Sequence, residues 1–307
     1  MRIRILGAAA GGGLPQWNCR CSNCILARQG SRDVIPRTQS SVAVSADGVC
    51  WFLLNVSPDI RQQIHEFPRL APTGDALRGT GIAGCVLTDA EIDHTSGLLL
   101  LREDTLFQIY STPLVRQWLR EKFPVEPMLS AFRPRAWNDI GPGTPFFLCD
   151  SAGAPSTLRV TPIDLPGHAP IYAGAWTAST TGAIVALRIE DTATGGVFVY
   201  APAVARVTPE LDAAMDGAQV VMVDGTFWTV NEMVDLSLSK RSAVDMGHIA
   251  ISGSGGSLEW FAKKRAAHRV YVHINNTNPV LNATSAERKV VEAAGIRVGC
   301  DGDEFAA

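Results

Sequence analysis

Val86-Leu87-Thr88-Asp89-Ala90-Glu91-Ile92-Asp93-His94-Thr95-Ser96-Gly97-Leu98 is the stretch on which the reading of this chain turns. The apolar run from Ile82 to Leu87 predicts a short buried strand, Thr88 to Asp93 a loop, and Leu98 to Leu101 the start of a helix. Four ligand-type side chains therefore crowd one strand end. Asp89, Glu91 and Asp93 alternate along extended backbone, which aims their carboxylates to one side, and His94 turns in from the next position. Carboxylates this close repel one another unless a cation neutralises them, so the stretch favours a metal. Taken by itself it also fits a solvated acidic turn beside a capped helix.

The pattern resembles the metallo-β-lactamase superfamily, whose members carry Thr-His-x-His-x-Asp-His here and then Gly-Gly-Leu-like residues opening a helix. Asp89 and Glu91 stand where two histidines belong, while Asp93 and His94 match. Exchanging two imidazoles for carboxylates hardens the site and moves the expectation from two zinc ions toward iron, manganese or magnesium. The resemblance implies an α/β fold, a metallo-β-lactamase-like four-layer αββα sandwich. Over residues 1–307 we expect a single such domain with an N-terminal three-cysteine zinc knuckle at about 17–25.

Composition agrees with an enzyme-sized globular chain. With 46% apolar and 19% charged residues among 307, it can bury a large core. A net charge of -3 offers no basic footprint for nucleic acid or an anionic membrane, and no apolar run approaches a membrane span. The chain opens directly on an alternating strand without a cleavable signal, so a cytoplasmic location is expected. Seven cysteines make an odd count; Cys50, Cys85 and Cys149 lie in apolar runs and read as buried thiols.

Cys19, Cys21 and Cys24 are different. Cys-x-Cys-x-x-Cys places three soft thiolates within one turn, which is tetrahedral zinc chemistry lacking one ligand. Some phosphodiesterases of the superfamily carry a similar knuckle, completed by a histidine near the last metal ligand. Here that region reads His273-Ile274-Asn275-Asn276, which leaves His65 and His268 as candidates for the fourth position.

Along the rest of the chain, Met1 to Leu6 alternates like a half-buried strand and breaks into the glycine-rich loop Gly7 to Gly13, either a tight structural loop or a phosphate cradle. Ser40 to Ser45 and Val49 to Asn55 flank an Asp-Gly turn and predict a hairpin. A helix is expected from Ile60, a surface connection over 68–81, a strand over Leu106 to Tyr110 and a helix over Leu114 to Phe123. The Pro-rich but apolar segment 124–145 reads as a lid or a packed irregular insertion. Three further strand ends carry His168, Asp224 and His273, and a Gly247-His248 loop precedes a helix over Ser257 to Ala266.

On the superfamily pattern, Asp93, His94, Asp224 and His273 preserve one metal position, and Asp89, Glu91 and His168 occupy the other in altered form. Two histidines with carboxylates make the environment of a non-haem Fe(II) centre with open positions. His248 matches a histidine that sits near the metals and moves protons, and Glu91 joins it as a catalytic candidate. The narrower resemblance rests on Arg4 to Cys24, Pro36 to Ser41, Asn55 to Arg61, Thr88 to His94 and Val272 to Pro279. In combination these motifs resemble the family of coenzyme PQQ synthesis B proteins.

That resemblance implies a part in pyrroloquinoline quinone (PQQ) biosynthesis: iron- and oxygen-dependent hydroxylation of the tyrosine ring of a Glu-Tyr-derived precursor, with Fe(II) at the active site and Zn(II) in the knuckle. The alternatives are a soluble carrier of PQQ or its precursor toward the periplasm, and a divergent metallohydrolase. The expected partner is a small, dipeptide-like PQQ precursor; contacts with other proteins of the pathway and a homodimer stay open. Arg61 and the Pro36-Arg37-Thr38-Gln39 segment are candidates for holding its carboxylates, since a guanidinium fork matches a carboxylate.

Overall fold

The apolar runs of the sequence become two stacked sheets. The computed structural model describes residues 1–307 apart from 73, 74, 76, 104, 105 and 175–179, so part of the expected 68–81 connection lies outside the described residues. In chain order the strands are β1 (Arg2–Gly7), β2 (Ser41–Ser45), β3 (Trp51–Leu54), β4 (Ile82–Val86), β5 (Gln108–Ser111), β6 (Ala136–Asp139) and β7 (Phe146–Cys149). They continue with β8 (Pro155–Leu165), β9 (Ile184–Asp191), β10 (Gly196–Ala201), β11 (Val220–Asp224), β12 (His268–Val272), β13 (Arg297–Val298) and β14 (Glu304–Ala306). One sheet runs β14-β1-β2-β3-β4-β5-β6 and the other β13-β12-β11-β10-β9-β8-β7.

Side-chain alternation assigns the layers. Val42, Val44, Phe52, Leu54 and Val86 point into a core shared with Phe198, Tyr200, Met222, Val270 and Val272 of the other sheet. Their neighbours Ala43, Leu53, Cys85 and Leu87 face the opposite way, onto Ile60, Val115, Leu119 and Leu129 of the outer helices. Val199, Val221, Val223 and Tyr271 do the same in the second sheet, against Leu211, Phe261 and Val291. A strand buried on both faces reads as an unbroken apolar run, which is why Trp51–Leu54 and Val220–Val223 show no polar alternation. Helices, sheet, sheet and helices make the four layers of the αββα sandwich.

Both sheets are mixed. β3 to β6 are parallel in one and β10 to β13 in the other, each joined to antiparallel neighbours. Parallel strands deliver their carboxyl ends to one edge, and that is where α/β folds gather functional side chains. β4 runs into Thr88 to His94, β11 ends on Asp224, and β12 is followed directly by His273.

Three expectations change. The helix after β4 starts at Ile92 rather than Leu98 and passes into a 3-10 turn over Ser96–Leu101, so Asp93 and His94 sit on helical rather than extended backbone. Segment 124–145 is a packed part of the sandwich: the helix Val125–Phe132 buries Val125 and Leu129, and β6 continues the first sheet beside β5. Of the three thiols expected to be buried, Cys85 is, while Cys50 and Cys149 are half-buried.

Candidate metal centre

The motif after β4 is folded by a relay of hydrogen bonds that begins at Asn55. Asn55 holds a left-handed conformation, φ 63°, in which its side chain donates to Thr88 Oγ1 at 2.9 Å and accepts from Thr88 N at 2.9 Å. Thr88 Oγ1 then donates to Asp89 Oδ2 at 2.8 Å. Asp89 takes the Nδ1 hydrogen of His94, 2.8 Å from both carboxylate oxygens, and the backbone N–H of Glu91 at 2.9 Å. Val56 N donates to the His94 carbonyl at 2.7 Å and closes the loop against β3. This explains the Asn55-Val56-Ser57 motif: it positions the ligand loop.

A second relay orders the other side. Asp224 is fully buried and its carboxylate accepts four hydrogen bonds: from Thr226 N (2.9 Å), Thr226 Oγ1 (2.6 Å), Val204 N (2.8 Å) and His248 Nδ1 (2.7 Å). Because the Thr226 hydroxyl spends its proton on Asp224, it accepts from His273 Nδ1 at 2.8 Å. All three imidazoles thus hold a proton on Nδ1, which leaves Nε2 of each as the nitrogen that can bind a metal. Partners of this kind fix both tautomer and ring orientation in metal-binding histidines.

Asp93, His94 and His273 converge, with one ligand atom of each within 4.8 Å of the others. His273 Nε2 lies 3.4 Å and His94 Nε2 3.9 Å from Asp93 Oδ2. Asp224, His248 and His273 form a second such group. His94 Nε2 is buried and has no hydrogen-bond partner. A buried imidazole nitrogen without a partner carries a desolvation cost that a cation removes, so the residues present fit a metal.

Electrostatics agree. Burial alone would lower the His94 pKa, but Asp89 and Asp93 push it up to about 9. Burial, Asp89 and Asp93 push Glu91 up to about 7. Against the same burial, His94 holds Asp89 and Asp93 below the ordinary carboxylate range, and His248 does so for Asp224. Burial lowers His273. The excess of acid over base asks for added positive charge.

The group opens into a cavity of about 270 Å³ whose lining includes Asp89, Glu91, Asp93, His94, His248 and His273. His168 is half-buried in the loop after β8 and belongs neither to this lining nor to either ligand group among the described residues. Gly11 explains part of the glycine-rich loop, since a Cβ there would lie 3.2 Å from Asp93 Oδ2; the loop packs over the ligands. Arg37 is a structural residue, 6% exposed and donating to the Gly299 carbonyl at 3.0 Å, and Arg61 is exposed on the helix Ile60–Glu66. Neither lines the cavity. Thr226 and Asn55 escaped sequence reasoning because a threonine or asparagine beside a strand end has many ordinary uses.

The three-cysteine loop also closes. Cys19, Cys21 and Cys24 bring their sulfurs within 4.8 Å of one another. His65 and His268 are both exposed and outside this group; His268 packs on Phe305 at 5.2 Å. The side-chain amide nitrogen of Asn276 faces the open side of the group, 3.1, 3.5 and 3.3 Å from the Cys19, Cys21 and Cys24 sulfurs. Burial and the neighbouring thiols push Cys21 up to about 12, so a bound cation is what would hold it as a thiolate.

Comparison with known proteins follows the same lines. The profile of the beta-lactamase superfamily domain matches residues 50–274, and with the four layers and the ligands at the strand ends it defines a metallo-β-lactamase-fold protein. Coenzyme PQQ synthesis protein B of Pseudomonas aeruginosa is 46% identical over 308 aligned positions, 98% of each chain. That of Methylobacillus flagellatus is 45% identical over 304, again 98% of each. The crystal structure of Zn(2+)-bound PqqB from Methylobacterium extorquens matches with a TM-score of 0.91 and 39% identity over 100% of both chains. The chain belongs to the coenzyme PQQ synthesis protein B family.

The Thr226 relay can be tested directly. Thr226→Val keeps the shape but removes the acceptor for His273 Nδ1. Metal affinity, measured by competition with a chelator, is expected to fall about 10- to 100-fold. Unchanged affinity would show that His273 is oriented by packing alone.

Proposed function

We propose that this protein acts in PQQ biosynthesis as a non-haem iron, oxygen-dependent hydroxylase of the tyrosine ring of the Glu-Tyr-derived precursor. One observation carries the reading: two imidazoles and one carboxylate, His94, His273 and Asp93, converge on one point, while Asp89 and Asp224 spend their oxygens on other donors. Asp89 is spent on His94 Nδ1 and Asp224 on four donors, so both act as orienters of the histidines. Two histidines and a carboxylate are the donor set of Fe(II) oxygenases, whereas a zinc hydrolase wants more imidazoles to keep its bound water acidic. The zinc-bound relative supports metal binding by this fold and leaves the working metal to experiment.

Bound iron would supply activation of dioxygen at positions these three residues leave open. The protein's own part is positioning and proton handling. His248, tied through Nδ1 to Asp224, presents its other nitrogen to the cavity and binds substrate or carries protons. Glu91 lines the same cavity with a pKa near 7 and can exchange a proton at neutral pH. Zinc is assigned to Cys19, Cys21, Cys24 and Asn276. No helix among the described residues is long and apolar enough to cross a membrane, and the closely set thiols suit the reducing cytoplasm.

The test is anaerobic reconstitution with Fe(II), then oxygen, a reductant and a tyrosine-containing precursor analogue. The ring C–H becomes C–OH with one atom of dioxygen, and the other leaves as water with two electrons and two protons from the reductant. Mass analysis is expected to show one added oxygen, labelled when ¹⁸O₂ is used. No gain of oxygen, with PQQ binding retained, would replace this reading by the carrier.

A further inference from the structure

The cavity beside the ligands is lined by more than acids and imidazoles. Ile171, Ile184, Phe227 and Met246 give it an apolar wall, and Arg241 supplies the only Lys or Arg side chain among the described residues lining it. Its floor holds Asp89, Glu91 and Asp93. A guanidinium offers a carboxylate a planar fork of matching geometry.

The loop around Arg241 is built to hold it there. Arg241 N donates to Ser239 Oγ at 3.0 Å, and the next residue, Ser242, donates from N and from Oγ to Asp245 Oδ2 at 2.9 and 2.8 Å. The chain just after Arg241 is also tied down, by Ala243 N to the Val230 carbonyl at 2.8 Å and His248 N to the Ala243 carbonyl at 2.9 Å. The backbone carrying Arg241 is therefore registered against His248, at the edge of the metal group.

We propose that Arg241 binds a carboxylate of the substrate, so that the cavity selects aromatic carboxylates with the ring against Phe227 and Met246. The identity of the ring rests on the hydroxylation reading; the carboxylate contact does not. Arg241 is a specificity residue that sets how far the reacting ring reaches toward Asp93, His94 and His273.

The experiment uses full-length, zinc-loaded protein without oxygen, so no turnover enters the readout. N-acetyl-tyrosine and N-acetyl-tyrosinamide, alike except for the carboxylate, are titrated by calorimetry into wild type, Arg241→Gln and Arg241→Lys. In the wild type the carboxylate probe is expected to bind about 10- to 100-fold more tightly than the amide. Arg241→Gln should bring the two within a few-fold, Arg241→Lys should fall between, and the amide should bind all three proteins alike. A preference that survives in Arg241→Gln overturns the proposal, as do equal affinities, or no binding of either probe, in the wild type. A failure of ring hydroxylation leaves these affinities untouched, so the two readings fail separately.

Discussion

Asp93→Ala and His273→Ala are expected to lose the active-site metal and, with it, the proposed ring hydroxylation, each by a factor on the order of 10³ or more, beyond the 10- to 100-fold that outer partners command. The argument is one of donor count. Asp93 is the carboxylate toward which both His94 Nε2 and His273 Nε2 are turned, at 3.9 and 3.4 Å. Either truncation leaves two donors, too few to hold a divalent ion against water. Asp224→Asn separates a ligand from an orienter. The amide keeps one oxygen for Thr226 N but puts an NH2 where Oδ2 accepted from Val204 N and His248 Nδ1, so the hold on His248 weakens and the metal should be retained within about 100-fold of wild-type affinity while turnover falls. Metal content by mass spectrometry after gel filtration, beside product mass, reads both. Stoichiometric metal in Asp93→Ala, or complete metal loss in Asp224→Asn, would sink this assignment.

The difference between Asp93 and Asp224 also shows what the sequence could and could not disclose. β4 and β11 are legible because a strand buried on both faces is an apolar run, and the acids at or just beyond its end mark the site. That Asp93, His94 and His273 meet followed from strand ends and motif. What Asp224 does with its oxygens depends on Val204, twenty residues away in the loop after β10, and no local pattern announces that contact. The helix start at Ile92 is not legible in the sequence, because a single turn carrying Asp93 and His94 has too few apolar residues to show a period, whereas Leu98 to Leu101 form an apolar run. β14 is three residues with exposed flanks around Phe305, and it exists through pairing with β1 at the far end of the chain. In 124–145 the prolines suggested irregularity, yet Pro124 precedes a helix and Pro127 falls within its first turn, where a missing N–H is tolerated.

Cys24→Ala is expected to damage the active centre as well as the knuckle, because both hang on one short loop. His273, the residue after β12, adopts φ 55°, a left-handed conformation that costs a side-chain-bearing residue about 1 kcal/mol or more and persists only where its surroundings enforce it. The enforcement comes from residues 275–278. Asn275 N donates to the Thr226 carbonyl at 3.0 Å, and Asn278 Nδ2 donates to the Gly225 carbonyl at 2.9 Å. Asn23, in the knuckle helix Ser22–Arg28, donates to the Asn276 and Asn278 carbonyls at 3.0 and 2.9 Å. Asn276 places its amide against all three cysteine sulfurs, where a turned amide would give a zinc ion its fourth donor through Oδ1. A structural zinc contributes folding free energy outright, so losing one thiolate should cost several kcal/mol, more than the small cavity left by the sulfur. With the knuckle loosened, residues 273–278 should exchange their amide hydrogens faster, and chelator competition should show weaker metal binding at Asp93, His94 and His273. Asn276→Asp, which keeps an oxygen donor, should hold zinc and leave the active centre close to wild type, whereas Asn276→Ala should behave like a milder Cys24→Ala. If Cys24→Ala loses zinc but exchange over 273–278 and active-site affinity stay as in the wild type, the two metal sites are independent and His273 is held by the Thr226 relay alone.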